Sequence, residues 1–252
     1  MEFKNPPWHF GVQYANTDNN WLPSDTEELY NQQIQDPVRK NYFEMQGWVD
    51  SGSITYKINS YGFRCDEFNS NDPCIVVLGC SFTIGTGLPL DTIWPTLVGK
   101  DIGLKVYNLS WGGNSSDTCF RLAEYWLPKL NPKLVCMLTP PDARVELLLD
   151  REEQNKSEVF MPDSKSAWFS PNDIYLKHWF VNDENARINS AKNKLAIKGL
   201  CDNQQIPFIV YDSTQEMSKS REEIGYARDY MHAGPTGHRM LANKIIRDYN
   251  GR

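Results

Sequence analysis

The chain has 252 residues, enough for one large core with an added segment. Its net charge of -6 leaves no electrostatic footprint for nucleic acid or an anionic membrane surface. No stretch approaches the roughly 18 apolar residues of a membrane span. The opening Met1-Glu2-Phe3-Lys4-Asn5-Pro6-Pro7 carries no apolar signal core, so a cytoplasmic, non-exported protein is expected. Six cysteines, at 65, 74, 80, 119, 136 and 201, form no C-x-x-C pair and read as buried free thiols. Four histidines without ligand spacing give no support for a metal, and no cofactor is expected.

Residues 1–47 are polar and aromatic without clear periodicity. Trp8, Phe10, Tyr14 and Trp21 are expected to anchor an extended arm on the core; stacking on carbohydrate is the sharper alternative. Residues 48–58 read as a hairpin with Ser51-Gly52-Ser53 at its turn, and Ile54, Tyr56 and Ile58 alternate with Thr55 and Lys57 as in a half-buried strand. Residues 1–72 are therefore an N-terminal extension, and 73–252 the main domain.

Cys74-Ile75-Val76-Val77-Leu78 is a strand buried on both faces, as in a parallel sheet, and Gly79 breaks it. Ser81 then stands at the strand's carboxyl end, the edge where open parallel sheets bind ligands. A helix N-cap is the plain alternative for this serine. A helix around 92–98 and a strand over 104–109 follow. That strand ends in Asn108-Leu109-Ser110-Trp111-Gly112-Gly113-Asn114. Cys119, Leu122, Ala123, Trp126, Leu127 and Leu130 then mark one face of an amphipathic helix, which Asn114, Ser115, Ser116 or Asp117 can cap. Strands are expected over 134–138 and 207–211, with a helix over about 186–201 between them. Repeated strand, loop and helix imply a doubly wound α/β sandwich. Residues 143–184 break the rhythm and read as an insertion near the sheet edge. It contains Trp168, Phe169, Tyr175, His178, Trp179 and Phe180, a lid or a satellite subdomain, with His178 packed or at the surface.

Near the C-terminus, Asp229 and His232 stand three residues apart, before a helix striped by Leu241, Ile245 and Tyr249. A serine hydroxyl is a poor nucleophile until a histidine takes its proton, and a carboxylate on the other ring nitrogen fixes the tautomer. An Asp-x-x-His turn can supply both groups to Ser81. Pro235 suits the first helical turn, and His238 on the helix reads as structural.

These residues resemble the SGNH hydrolases, also called GDSL esterases and lipases, from about residue 74 to 249. Gly79-Cys80-Ser81-Phe82-Thr83 is similar to the nucleophile block, with Cys80 in place of the family's acidic residue. The loop through Gly113 resembles the second block, whose glycine N–H serves the oxyanion. Asp229-Tyr230-Met231-His232 is similar to the acid–base block. The third block departs: Thr139-Pro140-Pro141-Asp142 has Pro141 where the family has asparagine, and proline offers no N–H.

The resemblance implies a three-layer α/β/α sandwich with a flavodoxin-like parallel sheet. It also implies a serine esterase with Ser81 as nucleophile, His232 as base and Asp229 as its partner. The oxyanion donors would be the N–H groups of Ser81 and Gly113, with Asn114 or Arg144 as an assisting group; an anchoring salt bridge is the alternative for Arg144. The implied substrate is a small acyl ester, such as O-acetyl on a carbohydrate. Alternatives are an O-acyltransferase on the same triad and a glycan-binding or structural module without turnover.

Overall fold

In the computed structural model the apolar run from Cys74 to Leu78 lies within β3 (Pro73–Leu78), and all five side chains are buried. The structure describes residue 4 and residues 6–148, 157–160 and 183–251. β3 is flanked by β4 (Lys105–Asn108) on one side and β5 (Asn131–Thr139) on the other, and β8 (Phe208–Asp212) pairs with β5. The sheet order is β4-β3-β5-β8, every pairing parallel. In chain order this is second, first, third, fourth, the flavodoxin-like pattern, whose switch point lies beside the first strand. The expected strands all form, and β5 starts three residues earlier than the expected 134.

Alternation along the strands divides the core in two. Cys74, Val76 and Leu78 face Leu122, Ala123 and Trp126 of α5 (Ser116–Trp126) and Ile197 and Cys201 of α6 (Asp183–Asn203). Ile75 and Val77 face Trp94 and Val98 of α4 (Trp94–Ile102), and Leu241 and Ile245 of α9 (Pro235–Asn250). Helices on both faces of a parallel sheet make the three-layer α/β/α sandwich. Each fully buried leucine or isoleucine side chain adds about 1.5–3 kcal/mol to this packing. α5 starts as its sequence requires: Ser115 Oγ accepts the Thr118 N–H at 3.2 Å, and the Thr118 hydroxyl accepts from the Ser115 N–H. α9 carries Pro235 in its first turn.

The N-terminal region differs from the expected arm and hairpin. Two helices form there, α1 (Glu27–Gln33) behind a Thr26 cap and α2 (Pro37–Gln46) behind an Asp36 cap. Ser51–Ser53 is a single 3-10 turn, and the strand β2 (Tyr56–Ile58) pairs antiparallel with β1 (Thr17–Asn19), not with residues near Trp48. Ile54, Tyr56 and Ile58 are buried, so the alternation holds although the partner is different. Phe10, Tyr14 and Trp21 pack on a cluster that joins Phe43, Trp48 and Tyr56 to Ile84, Leu88 and Trp111.

After β5 the chain enters a short antiparallel pair, β6 (Val145–Leu148) with β7 (Ser157–Phe160). The aromatic residues 168, 169, 175, 179 and 180 and His178 lie outside the described residues. All six cysteines are free thiols, and five are buried. Among the described residues no helix is long and apolar enough to cross a membrane.

Candidate active site

The backbone between β3 and Ser81 has little freedom. Gly79 has φ +158°, and a Cβ there would lie 2.1 Å from Thr83 Oγ1 and 3.0 Å from the Leu138 carbonyl. Only glycine fits so close an approach. Cys80 then caps the short helix α3 (Ser81–Ile84), which places Ser81 at the first helical position. An N–H there has no partner within its own helix. Ser81 is 6% exposed, whereas Cys80 is fully buried.

The loop after β4 is pinned beneath this turn. Asn108 Nδ2 donates to the Thr83 carbonyl at 3.0 Å, and Asn114 Nδ2 donates to the Gly79 carbonyl at 3.1 Å. Between them, Trp111, Gly112 and Gly113 come to the surface of a cavity. The Asn114 amide is thus turned to the backbone before Ser81, and Asn114 does not line the cavity.

The C-terminal turn is built around one carboxylate. Asp229 Oδ1 accepts the N–H groups of Met231 and His232, each at 3.0 Å, and Oδ2 contacts His232 Nδ1. Tyr230, inside the turn, takes φ +60°, a left-handed conformation rarely adopted by a bulky residue and one found where surrounding structure over-determines the backbone. The Ala227 N–H closes the turn onto the His232 carbonyl at 3.0 Å. The ring of Phe82 packs edge-on against the imidazole of His232.

Ser81, Gly113, Arg144 and His232 line one cavity of about 330 Å³. Leu22, Pro23, Ser24 and Thr86 complete its wall. Arg144 follows the Pro140-Pro141 turn, where its N–H bonds the Pro141 carbonyl at 3.0 Å, and one guanidinium nitrogen lies 3.4 Å from the Asn114 carbonyl. Two residues further on, Glu146 of β6 accepts two bonds from Arg121 of α5, at 2.6 and 2.9 Å. No hydrogen bond joins Ser81 Oγ to His232 among the described residues. Catalytic contacts of this kind often tighten only around substrate. Two further hollows, about 380 and 650 Å³, contain neither Ser81 nor His232.

His238 lies away from the cavity lining. It is buried, its Nδ1 accepts the Trp94 N–H at 3.0 Å, and burial pushes its imidazole down to about 3. It caps α4 as a neutral acceptor, the structural role read from its place on the helix. Sequence reasoning missed Leu22, Pro23, Ser24 and Phe82 as site residues. A turn signal was present, Leu-Pro-Ser-Asp followed by the Thr-Glu-Glu start of a helix, but nothing in it indicated what the turn would face.

No family model matches the sequence, and a comparison with curated proteins gave no match. Among solved structures, the chain is similar to an acetyl xylan esterase from the rumen bacterium Butyrivibrio proteoclasticus, at 13% identity over 74% of this chain and 64% of that one, with a TM-score of 0.39. It is similar to a psychrotrophic esterase from a Pseudoalteromonas species, at 11% identity over 72% and 100% of the two chains, with a TM-score of 0.38. It is also similar to a member of the lipolytic protein G-D-S-L family from Veillonella parvula, at 13% identity over 70% and 97%, with a TM-score of 0.36.

Proposed function

We propose that this protein is a serine esterase that cleaves a small acyl ester, such as O-acetyl on a carbohydrate. One observation carries the reading: Ser81 and His232 share a cavity while Asp229 occupies Nδ1 of the imidazole. Nε2 is then the ring nitrogen left to take a proton from Ser81. A cavity of about 330 Å³ suits a small acyl group and its alcohol.

In this mechanism Ser81 Oγ attacks the ester carbonyl and passes its proton to His232 Nε2. Asp229 holds the imidazole in the tautomer whose Nε2 is unprotonated, and then stabilises the imidazolium. The negative charge on the former carbonyl oxygen rests on the N–H groups of Ser81 and Gly113. Collapse expels the alcohol, protonated by His232, and leaves the acyl group on Ser81. Water, deprotonated by the same imidazole, then attacks the acyl-enzyme and releases the carboxylic acid. Pro141 contributes no donor to the oxyanion, and Arg144 in the cavity wall is the cation able to supplement the two N–H groups.

The test is turnover of p-nitrophenyl acetate. The expected result is burst-free or burst hydrolysis that disappears in Ser81→Ala and in His232→Ala. Hydrolysis unchanged in Ser81→Ala overturns the reading. No turnover of any acyl ester by the folded wild type would leave a binding module on this scaffold.

A further inference from the structure

One wall of the candidate site comes from the far end of the chain. Leu22, Pro23 and Ser24 line the cavity, although more than fifty residues separate them from Ser81. They form a tight turn in which the Leu22 and Asp25 backbones exchange hydrogen bonds at 3.1 and 2.9 Å. Pro23 at the tip is exposed, whereas Asp25 at the base is 1% exposed.

What holds the turn is a buried ion pair. Arg228, fully buried, donates to Asp25 from Nε at 3.1 and 3.2 Å and from a terminal nitrogen at 2.7 Å. It also donates to the Asn20 carbonyl at 2.5 Å, and its guanidinium lies 3.9 Å from the centre of the Trp21 ring. Tyr56 donates to the same carboxylate at 2.5 Å while accepting the Gly87 N–H at 2.7 Å. The Arg228 N–H in turn bonds the Gly87 carbonyl at 2.8 Å, and Gly87 has no room for a Cβ, which would meet the Arg228 nitrogen at 2.9 Å. Arg228 is the residue before Asp229. One pair therefore fixes the turn at 22–24 and the acid–base turn in a single register. A buried ion pair is a poor way to gain stability over packed apolar side chains, but it enforces one geometry because either partner alone is strongly disfavoured.

Resting on the esterase reading, we propose that Leu22-Pro23-Ser24 is the substrate-selecting wall of the Ser81 cavity, with Asp25 and Arg228 as the positioning pair that sets its distance from His232. The wall is apolar at Leu22 and Pro23, so it receives the aliphatic part of the ester and limits its size. A difference of one or two methylenes against such a wall is worth roughly 10- to 200-fold in kcat/KM.

The experiment compares p-nitrophenyl acetate, butyrate and hexanoate in wild type, Pro23→Ala, Leu22→Ala and Ser24→Phe. Enlarging the cavity is expected to raise the hexanoate-to-acetate ratio of kcat/KM at least tenfold, and Ser24→Phe to lower it, with Tm changed little in the exposed Pro23→Ala variant. Asp25→Asn is expected to move the ratio in the same direction as Leu22→Ala, because the wall slips; a merely structural brace would scale all three esters equally. Equal scaling across the folded wall variants overturns the proposal. If Asp25→Asn does not fold, the Pro23 and Ser24 variants decide. Wild type that neither turns over an ester nor reacts with a fluorophosphonate at Ser81 sinks the esterase reading itself, and the wall with it.

Discussion

The phenyl ring of Phe82 stands edge-on to the imidazole of His232, with centroids 4.8 Å apart and planes at 67°. Phe82 directly follows Ser81, so the short helix that presents Ser81 also carries the side chain that packs on His232. An edge-to-face aromatic pair is worth about 0.5–1.5 kcal/mol beyond its buried area. Phe82→Ala is expected to lower kcat by roughly tenfold with little change in KM, because the imidazole is no longer held at one angle. Phe82→Leu should recover most of the loss. Steady-state kinetics check this, and equal kcat in all three proteins would contradict it.

Asp229→Asn separates orientation from folding. The amide oxygen can still accept the two N–H groups of the turn, which bond Asp229 Oδ1 at 3.0 Å. The amide nitrogen, however, donates to Nδ1 and forces the proton onto Nε2, where it cannot accept from serine. A change of this kind in a serine protease triad costs about 10⁴ in kcat. The expected result is a loss of that order with Tm near the wild-type value. Activity within tenfold of wild type would show that Asp229 is only a turn former.

Arg144 belongs to the same accounting. If it supplements the two backbone donors, Arg144→Ala lowers kcat and kcat/KM together by at least roughly tenfold, the signature of an interaction made only in the transition state. A rise in KM alone would make it a substrate-binding residue.

The sheet and its two helical layers were legible in the sequence because each buried strand is a short apolar run and α5 repeats its apolar residues at helical spacing. The contact between Asp229 and His232 was legible because the two residues are local to each other. The N-terminal helices were not, since α2 leaves Val38 and Met45 exposed and forms behind its Asp36 cap and Pro37 rather than on an apolar stripe. Nor was the pairing of Asp25 with Arg228, 203 residues apart, because a lone aspartate in a polar segment reads as a solvated charge. β1 and β2 fall in the same class: three-residue strands, 37 positions apart at the nearest ends, carry too little pattern to name each other.

Two buried histidines are expected to make the fold sensitive to acid. Burial pushes His9 and His238 from 6.5 down to about 3. In the unfolded chain each takes up a proton near pH 6.5, and in the folded chain only near pH 3. The unfolded state therefore binds more protons throughout that window, and stability falls as pH drops from 6.5 toward 3. The loss reaches about 2–3 kcal/mol per histidine by pH 4.5 and vanishes above 6.5. His9 accepts the Gly11 N–H through Nδ1 and meets the Tyr61 carbonyl through Nε2, a pattern that glutamine can imitate without titrating. The curve of Tm against pH should be shallower in His9→Gln between pH 7.5 and 4.5. Parallel curves would place the acid sensitivity elsewhere.

If Ser81 is a nucleophile activated by His232, it reacts covalently with an electrophile that mimics the ester. The protein is incubated with a fluorophosphonate and the modified peptide is located by mass spectrometry. The adduct is expected on Ser81 in wild type and in Cys80→Ala, since Cys80 is fully buried beside it, with a loss of labelling in His232→Ala. An adduct on another residue, or Ser81 labelled equally well without His232, would contradict it.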